Sequence, residues 1–328
     1  MKKIIKTLLK TILVLIVCFL VFYFWASSKT LDKKEYSKLI ENNYSLKLSN
    51  DSIYSIVTYN IGYLSGMTNN IATEKSEENK QLYETNLEKV KLEIIKLNPD
   101  ILAFQEIDYD ASRSYTVDQE EEIAKLGYNY VAKAVNWDKR YIPFPYGLPS
   151  VNFGKVISGQ SIVSKYKLKE YQRIVLDRVD DIPFYKDAFY LDRLLQVTKV
   201  EIEGKEIVLM NVHLEAFDKP TRTKQFNYVF ALFKKYKNEF PTILLGDFNS
   251  EARNTEAVVQ EIFKMNDVGN ACYDKENPAN TYDSKNPKKR IDYIFYTNKT
   301  IEYIDGAVLN QFSVISDHLP LEMKFRLK

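Results

Sequence analysis

The chain has 328 residues, 45% apolar, 13% aromatic and 27% charged, a composition that supports a substantial buried core and excludes a largely disordered or low-complexity protein. Its 46 basic and 44 acidic residues leave a formal charge of +2, so no global positive field holds a nucleic-acid backbone, although a local groove can still be basic. Two cysteines, Cys18 and Cys272, exclude a disulfide framework and a clustered Cys/His zinc site.

The first predicted element is directed to a membrane. Lys2, Lys3, Lys6 and Lys10 precede an uncharged run from Thr11 to Ser28 rich in Ile, Leu, Val and Phe. Counted from Leu8, with Lys10 reaching back to the headgroups, the run is long enough to cross about 30 Å of hydrocarbon as a helix. The basic start and Trp25 near the far end predict a single-pass anchor over residues 1–28, with a cytoplasmic N-terminus and an exported domain. A signal peptide shares this pattern, and Ala26-Ser27-Ser28 would serve as its cleavage site, leaving a secreted protein. Residues 29–50, polar and charge-mixed, read as a tether, and 51–328 as one domain.

Within that domain short apolar runs alternate with amphipathic stretches. The pattern predicts strands over Ser55–Tyr59, Ile101–Gln105, Gly159–Ser164, Leu194–Ile202, Glu206–Val212, Thr242–Leu245, Ile291–Tyr296 and Leu319–Phe325. Helices are predicted over Gln81–Leu97, where Asn98-Pro99 stops the run, Arg222–Lys237 and Glu256–Met265. The aromatic stretch Trp137 to Phe153 reads as a loop that lines a cleft, touches a membrane or packs on the core. Strand pairs such as the one joined by Glu203-Gly204-Lys205 favour α+β layers over a purely parallel doubly wound sheet.

Polar residues recur where the apolar strands run out, which is where a sheet-based enzyme presents its site. Asn60 closes the first strand and Glu106 the second, and either alone is ordinary turn chemistry. His213, one of two histidines, follows Ile207 to Val212 in Asn211-Val212-His213-Leu214. In Gly246-Asp247-Phe248-Asn249, an acid and an amide at alternate positions point the same way if the chain stays extended. Asp292 opens another strand, and Asp317-His318 joins the second histidine to a carboxylate. Oxygen donors such as Glu106 and Asp317 suit Mg²⁺ or Mn²⁺ better than zinc. One histidine can serve as a base and the other can neutralise charge on phosphate.

Six segments together resemble the endonuclease/exonuclease/phosphatase superfamily: Thr58-Tyr59-Asn60, Gln105-Glu106, Asn211 to Leu214, Gly246 to Asn249, Arg290-Ile291-Asp292-Tyr293 and Ser316-Asp317-His318. Thr281-Tyr282 and Gly159 to Lys165 extend the likeness. The resemblance implies a four-layered α/β/β/α sandwich of two packed mixed sheets, here preceded by a transmembrane helix, with the site between the sheets at one end. It implies that Glu106 ligates the principal metal with Asn60 and Asp317 nearby, and that Asp247 and Asn249 orient water and phosphate. His318, held by Asp292, would be base or phosphate contact, with Asp247 the competing base, and His213 would assist the phosphate or the leaving oxygen. The expected activity is metal-dependent phosphoester hydrolysis, by a phosphodiesterase or phosphatase acting near the membrane. The substrate is left among lipid head groups, sugar or inositol phosphates and nucleic acid. His213 to Asp218 is similar to a stretch of sphingomyelinase-type members. An exported nuclease is the alternative, with Lys139, Arg140, Lys155 and Lys285 to Arg290 as its phosphate-binding surface, and a non-catalytic binding module is the other.

Overall fold

A computed structural model describes all residues except 46–47, 49–51, 69–75, 145–150, 275 and 277. In chain order the elements begin with α1 (Lys2–Ser27), β1 (Ser37–Glu41), β2 (Tyr54–Asn60), α2 (Glu77–Leu97), β3 (Ile101–Asp108) and α3 (Gln119–Ala124). There follow β4 (Tyr130–Ile142), β5 (Gly154–Ser164), β6 (Leu168–Val175), α4 (Phe184–Asp187), β7 (Leu194–Ile202), β8 (Lys205–His213) and α5 (Lys219–Tyr236). The chain closes with β9 (Thr242–Asp247), α6 (Gln260–Phe263), β10 (Val268–Asn270), β11 (Asp292–Thr297), β12 (Ile301–Val308) and β13 (Leu321–Leu327).

Alternation within the strands sorts them into two mixed sheets, ordered β1-β4-β5-β3-β2-β13-β12 and β10-β11-β9-β8-β7-β6. One face of each sheet meets the other: Ile56, Ile101, Ala103 and Met323 of the first pack on Leu209, Ile243, Leu245 and Ile294 of the second. The outer face of the first sheet is covered by Val90 and Ile94 of α2 and Ile123 of α3. Phe226, Val229 and Phe233 of α5 cover the second. Four layers result, as the family resemblance implies.

The helices start earlier or run shorter than their apolar spacing suggests. Ser76 caps α2, its side chain accepting from Asn79 N at 3.2 Å, and Asn98 ends it in a left-handed conformation (φ 49°). Asp218 caps α5 by accepting from Thr221 N at 2.8 Å, so this helix begins at Lys219. The helix expected over Glu256–Met265 shrinks to Gln260–Phe263, because Asn254 Oδ1 takes Glu256 N (3.0 Å) into a side-chain turn.

Two larger corrections concern the N-terminal half. The segment expected as a tether contributes β1, hydrogen-bonded to β4 from Ser37↔Ala134 to Glu41↔Tyr130. The stretch expected as a loop is strand as far as Ile142, while 145–150 lie outside the described residues. Its polar Asp138 and Lys139 hid the strand, and both are buried against the chain that follows α1. Asp138 accepts from Thr30 N (2.9 Å), Leu31 N (2.9 Å) and Tyr36 Oη (2.6 Å), and Lys139 Nζ donates to Ser27 O (3.0 Å).

Parallel pairing of β8 with β9 sets Val212 beside Gly246 and His213 beside Asp247. A Cβ on Gly246 would lie 2.0 Å from Val212 O, and its φ of +132° suits only glycine. Gly246→Ala is expected to lower unfolding free energy by about 2–4 kcal/mol in denaturant titration.

Candidate active site

The functional side chains are inward-facing positions of strands, one step beyond the apolar core. In β9, Ile243 and Leu245 enter the inter-sheet core and Asp247 is the next residue on that face. In β8 the series runs Ile207, Leu209, Asn211, His213, and in β2 it runs Ile56, Thr58, Asn60. Strand β11 runs the other way, pairing Asp292 with Asp247 and placing Ile294 in the core. Each strand thus turns from apolar to polar at the same end of the sandwich.

Glu106 breaks this parity. With Ile101 and Ala103 facing the other sheet, alternation would send Glu106 outward with Leu102 and Phe104. The pairing of β3 with β5 slips between Phe104 and Ile107, and Glu106 has φ 52°. This bulge lets both Gln105 and Glu106 face inward while Ile107 returns to the outer core. Behind Glu106, Gln105 Nε2 donates to Asn211 Oδ1 at 2.6 Å, and Asn211 Nδ2 donates to Phe104 O at 3.1 Å, pinning the sheets together.

Asp247 is the meeting point. Asn60 Nδ2 donates to its Oδ2 at 3.1 Å and Asn249 N to its Oδ1 at 2.8 Å, while His213 Nε2 and His318 Nε2 stand 3.4 and 3.8 Å from Oδ2. Asn249 does converge with Asp247, but by a tight turn at φ 47° and not by an extended chain. The loop before β13 delivers the last pair: Ser316 Oγ donates to Asn60 O (2.8 Å) and accepts from His318 N (3.1 Å). His318 Nδ1 lies 2.9 Å from Asp292 Oδ2, which also accepts from Thr281 Oγ1 at 2.5 Å.

Seven of the eight residues expected from sequence, Asn60, Glu106, His213, Asp247, Asn249, Asp317 and His318, line one cleft of about 660 Å³. The eighth, Asp292, is buried behind His318. The cleft also takes Arg193, Arg222 and Tyr282, for which the sequence reading assigned no role. Arg193 Nη1 donates to His213 Nε2 at 2.7 Å and its Nε to Glu215 Oε2 at 3.4 Å. A signal existed, because Leu194 pairs with His213 and its preceding residue must therefore lie near the histidine. Tyr282 lays its ring 5.0 Å from that of His318.

The two histidines are driven apart in charge. Burial, then the Arg193 guanidinium and His318, push His213 well below the usual imidazole pKa. Burial also opposes charge on His318, but Asp292 and Asp247 outweigh it and hold its pKa well above the usual value. Burial raises Asp247 to about 7 against the pull of His318.

A model of the endonuclease/exonuclease/phosphatase family matches residues 57–318. This chain belongs to that family. Among curated proteins none matches. An endonuclease/exonuclease/phosphatase from Beutenbergia cavernae is 18% identical, with 84% of this chain and 72% of that one covered at a TM-score of 0.63. The human Nocturnin catalytic domain, with a bound sulfate anion, is 18% identical over 91% of this chain and all of that one (100%), with a TM-score of 0.57. A mannosyl-6-phosphatase from Bacteroides thetaiotaomicron is 15% identical over 83% of this chain and 99% of that one, with a TM-score of 0.56. At these identities the likeness is one of fold.

The donor set fits the divalent cation typical of the family. Burial raises the pKa of Asp317, with His318 opposing and the nearby charge of Glu106 raising it further. Glu106 and Asp317 line the cleft with Asn60, and oxygen donors of this kind suit a hard cation. A second group, Asp247, Asp292 and His318, offers ligand atoms all within 4.8 Å of one another.

With only two histidines in the chain, their protonation can be read individually. In metal-free protein at pH 7, long-range ¹H–¹⁵N spectra are expected to show His318 as the imidazolium and His213 as the neutral ring. On acidification His213 should stay neutral below pH 6.5, where an unfolded histidine charges, so its burial costs stability as pH falls through that value. An imidazolium at His213 at pH 7 would contradict the Arg193 contact.

Proposed function

We propose that this protein is a membrane-anchored, Mg²⁺-dependent hydrolase of phosphoester bonds whose catalytic domain lies outside the cytoplasm. The observation that carries the reading is the convergence of Asn60, Glu106, His213, Asp247, Asn249, Asp317 and His318 on one cleft, with Asp292 behind His318. Glu106, Asn60 and Asp317 would hold the metal. Bound there, Mg²⁺, or Mn²⁺ in its place, would polarise a phosphoryl oxygen and make a nearby water more acidic.

Asp292 fixes the His318 ring through Nδ1 and turns Nε2 into the cleft, where it stands 3.5 Å from Asn60 Nδ2. Asp247 accepts from Asn60 Nδ2 at 3.1 Å and, with the His318 imidazolium beside it, takes the proton of the attacking water. Asn249 holds the Asp247 carboxylate through its backbone N–H. On the other side Arg193 and His213 meet charge that develops on the phosphoryl group.

The nuclease alternative keeps Arg140, Lys285, Lys288 and Lys289 exposed, with Lys289 at the cleft, but loses three of its basic residues. Lys139 is buried on Ser27 O, Lys155 pairs with Asp110, and the fully buried Arg290 donates to the backbone carbonyls of Ala271, Cys272, Ala279 and Asp292. Retention of α1 as an anchor is supported by its last turn: Ala26 is fully buried, and Ser27 O and Ser28 O accept from Lys139 Nζ and Arg140 N. Cleavage there would cut a docked segment.

The test is phosphate or phosphoester release from nucleic acids, phospholipids, inositol phosphates and sugar phosphates, with Mg²⁺ and with chelator. Turnover is expected only with metal, and no release from any of these substrates would sink the reading. Glu106→Ala should reduce kcat by on the order of 10²-fold or more with an unchanged melting curve. Asp292→Asn should lower kcat by on the order of 10²-fold with KM little altered, since it acts through His318. Mass spectrometry of the membrane fraction should find residues 1–28 still attached; a mature chain starting near Ser28 contradicts the anchor.

A further inference from the structure

The end of α1 and the wall of the cleft belong to one apolar cluster. Fully buried Ala26 and half-buried Tyr23 pack with Trp137, Phe189, Phe144 and Phe153. The ring contacts are continuous: Tyr23 to Phe189 at 5.7 Å, Phe189 to Phe144 at 6.0 Å, Phe144 to Phe153 at 6.5 Å and Phe153 to Trp137 at 6.0 Å. Trp137, Phe144, Phe153 and Leu191 line the cleft that holds the acids and histidines. An aromatic wall therefore runs from the membrane helix to the site.

The surroundings of that wall suit the water–lipid boundary. Except at its last turns, α1 is exposed along its length, and its 26 residues reach about 39 Å, enough to span the hydrocarbon. Phe184 and Tyr185, 78% and 51% exposed, stand beside its last turns, where Tyr23 Oη donates to Phe184 O at 3.2 Å. Trp25 is half exposed at the same level. Lys29 and Arg140, both exposed, lie next to the docked turn at headgroup height. Phe217, 86% exposed, stands at the cleft. Single exposed aromatics are unremarkable in a soluble protein, but Trp25, Phe184 and Tyr185 gather at the last turns of α1.

The geometry points to a phosphoester of a bilayer lipid as the substrate, with its head group among the acids, arginines and histidines of the cleft and its apolar part along Trp137, Phe144, Phe153 and Leu191. This rests on the hydrolase reading above and deepens it. In the reaction, water oxygen bonds to phosphorus, one ester P–O bond breaks, and the proton that Asp247 takes passes to the leaving oxygen. A docked anchor then has a purpose: it sets the height and tilt of the cleft over the lipid surface, which a tether would leave free.

The experiment uses the full chain reconstituted into vesicles of phosphatidylcholine, phosphatidylethanolamine and phosphatidylglycerol with Mg²⁺. Lipid hydrolysis is read by ³¹P NMR, and bis(4-nitrophenyl) phosphate serves as a soluble reporter. The vesicle lipid is expected to be hydrolysed. Phe184→Ser with Tyr185→Ser should slow that reaction by about tenfold while leaving the reporter rate unchanged. Phe184→Trp should add fluorescence that brominated phosphatidylcholine quenches, a readout independent of turnover. Hydrolysis of the reporter with untouched vesicle lipid would overturn the lipid assignment and leave the hydrolase reading standing. Equal vesicle rates for the double variant and the parent, or an unquenched Trp, would overturn the docking. Turnover of neither substrate would overturn the hydrolase reading and this proposal together.

Discussion

The buried carboxylate of Asp247 is the constraint around which the cleft is arranged. It sits on β9 of one sheet, is bonded by Asn60 from β2 of the other, and stands within 4 Å of both histidines. A charge so far from solvent is tolerable only with several polar partners at once. That demand fixes the neighbours: Gly246 must be glycine so that β8 and β9 can close on each other, Asn249 must turn back, and Ser316 must hold the His318 loop against Asn60. The two sheets meet as an apolar layer over most of their length and as a polar network at one end.

That network separates two kinds of electrostatic environment within one cleft. Around His318 the acids Asp292 and Asp247 favour positive charge, and around His213 burial and then the Arg193 guanidinium oppose it. Glu106 and Asp317 form a third region where negative charges crowd each other and a divalent cation is the natural relief. Placing acid, neutral imidazole, guanidinium and metal-seeking carboxylates around about 660 Å³ is the division of labour that phosphoryl transfer to water demands.

Much of this was readable before the structure. Strands β2, β3, β7, β8, β9, β11 and β13 are apolar runs with clear ends, and counting by twos from the core reaches Asn60, His213 and Asp247. Glu106 was legible as a strand-end acid, but the bulge that aims it inward depends on its pairing with β5, which alternation within one strand does not reveal. Strand β4 was hidden because Asp138 and Lys139 look solvent-facing. They are buried by contacts with Ser27, Thr30 and Leu31 about 108 residues earlier in the chain, beyond the reach of a local pattern. Arg193 escaped for a related reason, since its meaning comes from cross-strand pairing of β7 with β8. The coupling of α1 to the cleft was illegible for the same reason.

The claim that the acidic end of the sandwich is a metal centre is tested most directly by calorimetric titration of Mg²⁺ and Mn²⁺ into the metal-free protein, beside Glu106→Ala and Asp317→Ala. The account predicts saturable binding to the parent protein and affinity weakened by at least about tenfold in each variant. Binding unchanged in both variants, or none to the parent protein, would contradict it.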